Sequence, residues 1–253
     1  MTQDQRHESI LKLLKERDSI SIEELVSHYK VTPQTIRRDL NYLSNFNKLR
    51  RHHGGASAIS SIQNTAYKTR KIMDLEAKQK IAQHLVSMIP NGSSLFINIG
   101  TTTETIAKAL LGHENLKVVT NNLNVAAILG VKKDFSVLIA GGEVRHRDGG
   151  IIGEATEDFI NQFRMDFGII GISGIEENGA LLDFDYREVR VAQAIIENSR
   201  KVLLAADHSK FGRYAMVRLG NISQADDFIT DSTPPKSILS LLDEHNVKLH
   251  IAN

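Results

Sequence analysis

The chain has 253 residues, of which 41% are hydrophobic and 24% are charged, a composition typical of a globular protein with one large or two ordinary domains. It contains no cysteine, which excludes disulfide bonds and thiolate metal sites. The N-terminus is polar, with no apolar signal core, and no apolar run has membrane length, so we expect a cytoplasmic protein.

The formal net charge of +1 is divided unevenly along the chain. Residues 1–58 hold 10 Lys/Arg against 7 Asp/Glu, together with four histidines, whereas the remainder holds 21 Lys/Arg against 23 Asp/Glu. The N-terminal excess of three positive charges is modest for a nucleic-acid-binding domain. Tight binding to DNA would therefore require two or more copies of the chain acting together.

Three helices are predicted in the N-terminal segment. Apolar periodicity predicts the first over about Gln5–Arg17. A capping box at Ser21–Glu24 opens a short second helix, and His28–Val31 has the length of a tight interhelical turn. Thr32 and Pro33 suit the N-cap and the first residue of a third helix. The second and third helices together form a predicted helix-turn-helix.

The third helix has two different faces. Ile36, Leu40 and Leu43 recur at the spacing of a buried stripe. The alternative for the other face is a solvated charged surface, but the neighbouring helix-turn-helix and basic hairpin favour a DNA recognition helix. Its candidate DNA-binding side chains are of the kinds that hydrogen-bond base edges and phosphates in a major groove: Thr32, Gln34, Thr35, Arg37, Arg38 and Asn41.

The segment Lys48–Ala56 is predicted to form a basic hairpin, or wing, beside the recognition helix. Its Gly-Gly turn suits a short hairpin whose backbone lies close to phosphates. The candidate DNA contacts here are Arg50, Arg51, His52 and His53. In this basic setting the two histidines are expected to contact phosphate rather than a metal. Because the other histidines are scattered, we predict no metal site in the chain.

The pattern changes after the wing. Residues 57–69 are rich in Ser, Ala, Asn and Thr and have weak periodicity. We therefore expect a winged helix-turn-helix domain over residues 1–58, a linker over 59–74, and an effector-binding and oligomerisation domain over 75–253. In the third segment, short apolar strands alternate with helices. This alternation predicts an α/β fold with a mostly parallel sheet covered by helices on both faces.

Seven strands and four helices are predicted in that segment. The predicted strands are Ser94–Asn98, Lys117–Thr120, Phe135–Ala140, Asp166–Ile172, Lys201–Ala206, Asp226–Thr230 and Val247–Ile251. Helices are predicted over Glu76–Met88 and Asn122–Leu129, over Asp185–Ser199, and after the loop that begins at Gly100.

Polar loops follow five of these strands, and ligands of open α/β sheets bind at the carboxyl ends of strands. The Gly100–Thr103 loop offers a turn glycine, hydroxyl groups and the first amides of a helix, which together suit a phosphate dianion. Alternatively, these threonines only cap the helix. The loop is neither a Walker motif nor a dinucleotide fingerprint. The candidate effector-binding residues are Gly100, Thr101, Thr102, Thr103, Thr120, Asn121, Asn122, Gly141, Gly142, Arg145, Ser173 and Lys210.

These candidates combine hydroxyls, amides, turn glycines and two cations. Structural turns would account for the glycines alone. A pocket for a small phosphorylated polyol accounts for the other groups as well, because they match phosphate and sugar hydroxyls.

The N-terminal motifs resemble those of DeoR-type bacterial repressors. The resemblance is carried by Arg6-x3-Ile10-x3-Leu14, by the Thr32–Leu40 run and by Leu49–Ala56. The second domain resembles the effector domain of that family, which is similar in fold to ribose-5-phosphate isomerase. This resemblance rests on Asn98–Thr102, Thr120–Asn122, Ala140–Gly142 and Asp207–Lys210.

Three further motifs, Gly149–Thr156, Gly171–Ile175 and Asp207–Arg213, resemble the members of the family that control glycerol-3-phosphate metabolism. The resemblance implies a tetrameric repressor of those genes that has no cofactor. It also implies that a phosphorylated metabolite, here glycerol 3-phosphate, releases the repressor from operator DNA.

The alternative function is a sugar-phosphate isomerase with an accessory nucleic-acid-binding domain. In the isomerases, the strand that corresponds to Gly171–Ser173 carries an acidic residue involved in proton transfer, and Ser173 cannot act as a carboxylate base. An enzyme would have to depend on other acids, such as Asp183 or Asp185. The complete winged helix-turn-helix and Ser173 favour a repressor over an enzyme.

Overall fold

A computed structural model describes residues 2–17, 19–46, 48–52, 54–57 and 67–252. The chain divides into two compact units, Met1–Gln63 and Asn64–Asn253. None of the helices in the described part of the chain is long and apolar enough to cross a membrane.

The described part of the first unit holds three helices and a small antiparallel sheet. The predicted capping box is present, because Ser21 and Glu24 exchange side-chain to backbone hydrogen bonds, and Thr32 caps the third helix with Pro33 at its start. The elements are α1 (Gln3–Arg17), β1 (Ser19–Ser21), α2 (Ile22–Tyr29), α3 (Pro33–Asn45), β2 (Arg50–His52) and β3 (Gly55–Ser57). The sheet order is β1-β3-β2, so the predicted hairpin β2-β3 is extended by β1, which was not predicted.

A buried ion pair joins α1 to α3 across the core of this unit. The carboxylate of Asp39, which is 1% exposed, accepts hydrogen bonds from Arg6 Nε at 2.5 Å and Arg6 Nη2 at 3.2 Å, and it lies 3.0 Å from His7 Nε2. Burial by itself would raise the pKa of Asp39, but these two partners lower it below its ordinary value. The ion pair therefore fixes the recognition helix on the first helix.

The second unit contains the remaining elements. They are α4 (Tyr67–Ile72), α5 (Leu75–Ser87), β4 (Ser94–Ile97), α6 (Thr101–Leu110), β5 (Lys117–Thr120), α7 (Leu123–Leu129), β6 (Ser136–Ile139), β7 (Glu143–Val144), β8 (Ile151–Ile152), α8 (Glu154–Ile160), β9 (Met165–Gly171), β10 (Gly174–Ile175), β11 (Ala180–Asp183), α9 (Tyr186–Glu197), β12 (Ser199–Ala205), β13 (Val217–Asn221), β14 (Asp227–Thr230), α10 (Lys236–Glu244) and β15 (Lys248–Ile251).

A seven-stranded parallel sheet in the order β15-β14-β12-β9-β4-β5-β6 organises this unit. It contains all seven predicted strands, so the predicted parallel α/β fold is confirmed. Adjacent residues in a strand point to opposite faces. Leu95 and Val118 belong to the apolar cluster that includes α5, α6 and α7, whereas Phe96 and Val119 belong to the cluster that includes α9 and α10.

The strand order reverses between β4 and β9. From β4 the chain proceeds to β5 and β6 on one side, and from β9 it proceeds to β12, β14 and β15 on the other side. The loops that leave the carboxyl ends of these two strands consequently diverge and open a crevice. A topological switch point of this kind is where ligands of open α/β sheets bind.

Several elements differ from the predictions. Helices α8 and α10, the pair β7-β8 and the small sheet β10-β11-β13 were not predicted. Strands of two residues, such as β7, β8 and β10, carry too little periodicity to be recognised in a sequence. Within the expected linker 59–74, residues 67–72 form α4, and residues 59–66 lie outside the described part of the chain.

We predict that Asp39→Ala lowers the free energy of unfolding of the first unit by about 3 kcal/mol, because it leaves the buried Arg6 guanidinium without its carboxylate. Denaturant unfolding followed by circular dichroism measures the loss. Glu8→Ala, which removes an exposed acid from α1, the helix that carries Arg6, is the control and should change stability by less than about 0.5 kcal/mol. Because the pKa of Asp39 is lowered in the folded state, its contribution should be present above pH 3.8 and lost below it. Equal stability of the two variants would contradict a structural role for the ion pair.

Candidate functional site

Helix α3 presents its predicted polar face to solvent. Ile36, Leu40 and Leu43 are buried in the core of the first unit. The hydroxyls of Thr32 and Thr35 lie 2.9 Å apart and Thr32 Oγ1 accepts from the Thr35 amide, so these two residues begin the helix. Thr35 is half-buried, and the other candidates on this helix are exposed: Thr32, Gln34, Arg37, Arg38 and Asn41.

The wing contacts the recognition helix through one side-chain pair. Arg51 Nη1 donates to Asn41 Oδ1 at 2.5 Å, which orients the asparagine beside the exposed arginines of α3. Arg50 is exposed on the same strand, β2. His52 ends that strand, but its side chain and the whole of His53 lie outside the described residues. The described candidates of the first unit thus form one exposed polar surface.

A second candidate site is a cleft at the switch point between β4 and β9. The space between its lining atoms is about 460 Å³, including the part that is open to solvent. The cleft is lined by Arg70, Ile99, Gly100, Thr101, Thr102, Arg145, Asp148, Gly171, Ile172, Ser173, Asp183, Glu188, Lys210 and Arg213.

Six of the twelve candidate effector-binding residues line this cleft: Gly100, Thr101, Thr102, Arg145, Ser173 and Lys210. The other six do not, and their polar groups serve the fold instead. Thr103 Oγ1 donates to the carbonyl of Asn98 at 2.8 Å, and Thr120 Oγ1 donates to the carbonyl of Ile97 at 2.7 Å.

The remaining four candidates also bond or pack within the loops, although Asn121 Oδ1 and Asn122 Nδ2 are buried without a hydrogen-bond partner in the described part of the chain. The Asn121 amide donates to a backbone carbonyl of β8 at 3.0 Å, and Asn122 Oδ1 accepts from the first amides of α7. The carbonyl of Gly141 accepts from Thr156 Oγ1 at 2.8 Å. A Cβ at Gly142 would lie 2.2 Å from that same hydroxyl, so close packing and a φ of +149° explain this glycine.

Part of the cleft lining is basic. Helix α6 begins after Gly100, and its first amides have no intrahelical carbonyl to bond. Lys210 Nζ lies 3.4 Å from the buried carboxylate of Asp207. Burial lowers the pKa of Lys210, and burial together with the nearby charge of Arg70 lowers the pKa of Arg213. Cations with lowered pKa values in a cleft are stabilised when an anion binds beside them.

Another part of the lining is built around Arg145. Its guanidinium bonds Asp148 through Nε at 2.8 Å and Nη2 at 2.9 Å, and Nη1 lies 3.0 Å from Asp185 and 2.6 Å from Glu188. Burial by itself would lower the pKa of Arg145, but the surrounding carboxylates raise it above its ordinary value. Arg145 is therefore a fixed positive centre that holds three acidic side chains in place.

Two further buried carboxyl groups line the cleft. Asp183 Oδ1 accepts from Ser173 Oγ at 3.2 Å and from the Phe184 amide at 2.6 Å. Burial raises the pKa of Asp183, and burial together with the Asp183 charge raises the pKa of Glu188 to about 8. A carboxyl group with a raised pKa donates a hydrogen bond when it is protonated and accepts hydrogen bonds in either state.

Five charged residues of the cleft were not among the sequence candidates: Arg70, Asp148, Asp183, Glu188 and Arg213. Arg70 belongs to α4, within the expected linker. Asp183 ends β11, which is part of the small antiparallel sheet, so the rule of parallel strand ends did not predict it as a binding residue. Arg213 follows Lys210 by three residues, and this short basic run is a signal that could have identified it.

Both units match known families. Residues 6–62 match the DeoR-like helix-turn-helix domain, and residues 73–232 match the DeoR C terminal sensor domain. The chain is similar to the glycerol-3-phosphate regulon repressor of Escherichia coli (strain K12), with 58% identity over 251 residues that cover 99% of this chain and 100% of that protein. It is also similar to the glycerol-3-phosphate regulon repressor of Haemophilus influenzae, with 53% identity over 253 residues that cover 100% and 98%.

Similarities to solved structures are more distant. Ribose 5 phosphate isomerase A from Neisseria gonorrhoeae has a TM-score of 0.40 and 17% identity, over 53% of this chain and 52% of that chain. The eIF2B delta chain from Chaetomium thermophilum has a TM-score of 0.46 and 14% identity, over 61% and 55%. The two family matches, by contrast, identify the family. Because it has a DeoR-like helix-turn-helix domain followed by a DeoR sensor domain, this chain belongs to the DeoR family.

Proposed function

We propose that this protein is a DNA-binding transcription repressor of glycerol-3-phosphate metabolism genes, and that a small phosphorylated polyol, glycerol 3-phosphate, releases it from its operator. The observation that carries the proposal is the cleft at the β4/β9 switch point, which is lined by a helix N-terminus, four cations and buried carboxyl groups. The names of the two similar repressors support the choice of glycerol 3-phosphate.

The basic side of the cleft suits the phosphate. The amides of Thr101 and Thr102 lie at the start of α6, where the helix dipole favours an anion. The Thr102 hydroxyl adds a hydrogen-bond donor, and Lys210 and Arg213 supply charge-assisted donors. A phosphate dianion would restore the favourable environment that burial has removed from these two cations.

The carboxyl side suits the hydroxyl groups of the polyol. Glu188, whose pKa is raised to about 8, can donate to one hydroxyl, and Asp183 can accept from another. A ligand with a carboxylate at this end would instead place a third carboxyl group beside these two. We infer that the cleft selects a phosphate ester with a neutral, hydroxyl-bearing end.

Binding without turnover is the role we propose for this cleft. Ser173 occupies the position at which the isomerases carry an acid, and its hydroxyl is bonded to Asp183. The similar full-length proteins are repressors rather than enzymes. If purified protein converted ribose 5-phosphate and lost that activity on Asp183→Asn, the isomerase alternative would be restored.

We further propose that the chain acts in the cytoplasm as a homotetramer. The polar surface of α3 and the wing belongs to a segment with a charge excess of only three, so several copies would have to bind one operator together. The outer strand β6 leaves Leu138 and Ile139 exposed at the edge of the sheet, where a second copy could cover them.

The first functional prediction concerns α3. Arg37→Ala and Arg38→Ala should each weaken binding to a duplex selected by the wild-type protein from a random pool. A lost base contact costs about 1–3 kcal/mol per half-site. Fluorescence anisotropy over a salt series distinguishes base from phosphate contacts, because loss of a phosphate contact weakens all duplexes alike and reduces the salt slope by about one. Lys12→Ala, an exposed cation on α1, is the control. Wild-type affinity in both arginine variants would remove this helix from the interface.

The second concerns the phosphate end. Thr102→Val keeps the side-chain shape but removes one donor, so the glycerol 3-phosphate concentration that half-releases the operator should rise about 10-fold or more. Operator affinity without ligand should stay at the wild-type value. Thr105→Val is the matched control, since its hydroxyl bonds the Thr101 carbonyl on the same helix outside the cleft. An unchanged midpoint for Thr102→Val would mean that the phosphate binds elsewhere.

The third compares two ligands of nearly equal size. Glycerate 3-phosphate, which has a carboxylate where glycerol 3-phosphate has a hydroxymethyl group, should release the operator only at about 10-fold higher concentration at pH 7. The difference should grow above pH 8, because Glu188 loses its proton there. In Glu188→Gln the difference should no longer grow above pH 8. Equal midpoints in the wild type would show that the carboxyl pair does not contact this end of the ligand.

A further inference from the structure

Helix α4 occupies a distinctive place in the chain. It is the first described element after the boundary between the two units, and it lies between the two family matches, which end at residue 62 and resume at residue 73. Neither match therefore includes Arg70, although this side chain lines the cleft of the second unit. The segment that follows the DNA-binding unit in sequence thus supplies one wall of the candidate effector site.

Polar contacts, rather than apolar packing, hold α4 in place. It has six residues, none of which is buried. An isolated helix of this length is unstable in water. Tyr67 Oη donates to the Glu104 carboxylate at 2.8 Å, and Arg70 Nη2 contacts Asp148 Oδ2 at 3.4 Å. The position of α4 therefore depends on a small number of bonds that a competing ligand could change.

A buried lysine provides the third attachment. Lys78 Nζ donates to the carbonyl of Arg70 at 2.5 Å and to the carbonyl of Met73. Burial lowers the pKa of Lys78 to about 8. This bond fixes the C-terminal end of α4 against α5, so that movement of Arg70 has to move the end of the helix or break the bond.

The Arg70–Asp148 contact is the attachment that an effector would change. At 3.4 Å it is long, and Asp148 already accepts two shorter hydrogen bonds from Arg145. A phosphate dianion in the cleft offers Arg70 a closer, charge-assisted partner. A ligand can shift a conformational equilibrium only through such a difference in its contacts between two states.

We propose that Arg70 is an effector-binding residue and that α4 transmits effector binding to the DNA-binding unit. Arg70 leaves Asp148 for the phosphate, α4 moves from its effector-free position, and the segment leading to the DNA-binding unit moves with it. This inference rests on the proposed function, because it requires a phosphorylated effector in the cleft.

The test separates effector binding from operator release. In Arg70→Gln, calorimetry should show that glycerol 3-phosphate still binds through α6, Lys210 and Arg213, with affinity reduced about 10-fold. At saturating ligand, the wild type should lose most of its operator affinity, whereas Arg70→Gln should lose less than about 3-fold. Lys68→Gln, which removes an exposed charge from the same helix, is the matched control and should be released like the wild type.

A second variant tests the helix without altering the cleft. Tyr67→Phe removes the bond to Glu104, which keeps its bond from Asn124 Nδ2 at 3.2 Å. With one attachment lost, α4 should move more easily, and release should occur at several-fold lower glycerol 3-phosphate. Thermal unfolding of each variant verifies that it is folded.

The outcomes distinguish the two proposals. If glycerol 3-phosphate binds and releases the wild type but also fully releases saturated Arg70→Gln, the proposed function stands and the role of α4 is refuted. A wild-type release midpoint in Tyr67→Phe would refute it as well, as would loss of release in Lys68→Gln. If the wild type does not bind glycerol 3-phosphate, both proposals are wrong.

Discussion

The reversal of strand order between β4 and β9 is the constraint on which the second unit depends. Parallel strands are joined by crossover connections, and the helices in these connections cover both faces of the sheet. The chain adds strands in one direction from β4 and in the opposite direction from β9. The crevice so formed receives the N-terminus of α6 from one side and the Ser173 loop from the other. The cleft is therefore a product of connectivity, and its chemistry depends on which side chains the adjoining loops place there.

Groups of opposite charge line this cleft. Lys210 and Arg213 line it together with the carboxyls of Asp183 and Glu188, and Arg145 contacts the Glu188 carboxylate. Burial shifts the pKa of each of these four groups. A ligand group that complements one of them would therefore stabilise it. A ligand that is anionic at one end and neutral at the other satisfies both sides. The same arrangement disfavours ligands that are anionic at both ends.

The sequence was sufficient to predict the sheet and the helix-turn-helix, because both consist of long apolar patterns with clear caps. The capping box at Ser21 and the run from Thr32 depend on neighbouring residues only, whereas the orientation of a loop side chain depends on the whole fold. For that reason Thr102 and Lys210 line the cleft, while Thr120, also at a strand end, bonds the backbone. Arg70 could not be predicted, since a short polar helix has no apolar periodicity.

The ion pair between Arg6 and Asp39 limits how operator release can occur. It fastens the recognition helix to α1, and the Arg51–Asn41 bond fastens the wing to the same helix. These bonds oppose a rearrangement within the proposed DNA-binding surface, so we expect an effector to move this surface as a unit. Regulation would then act on the distance between the DNA-binding surfaces of two copies of the chain. Successive major grooves on one face of DNA lie about 34 Å apart, so a small change in that distance would prevent one of the two surfaces from entering its groove.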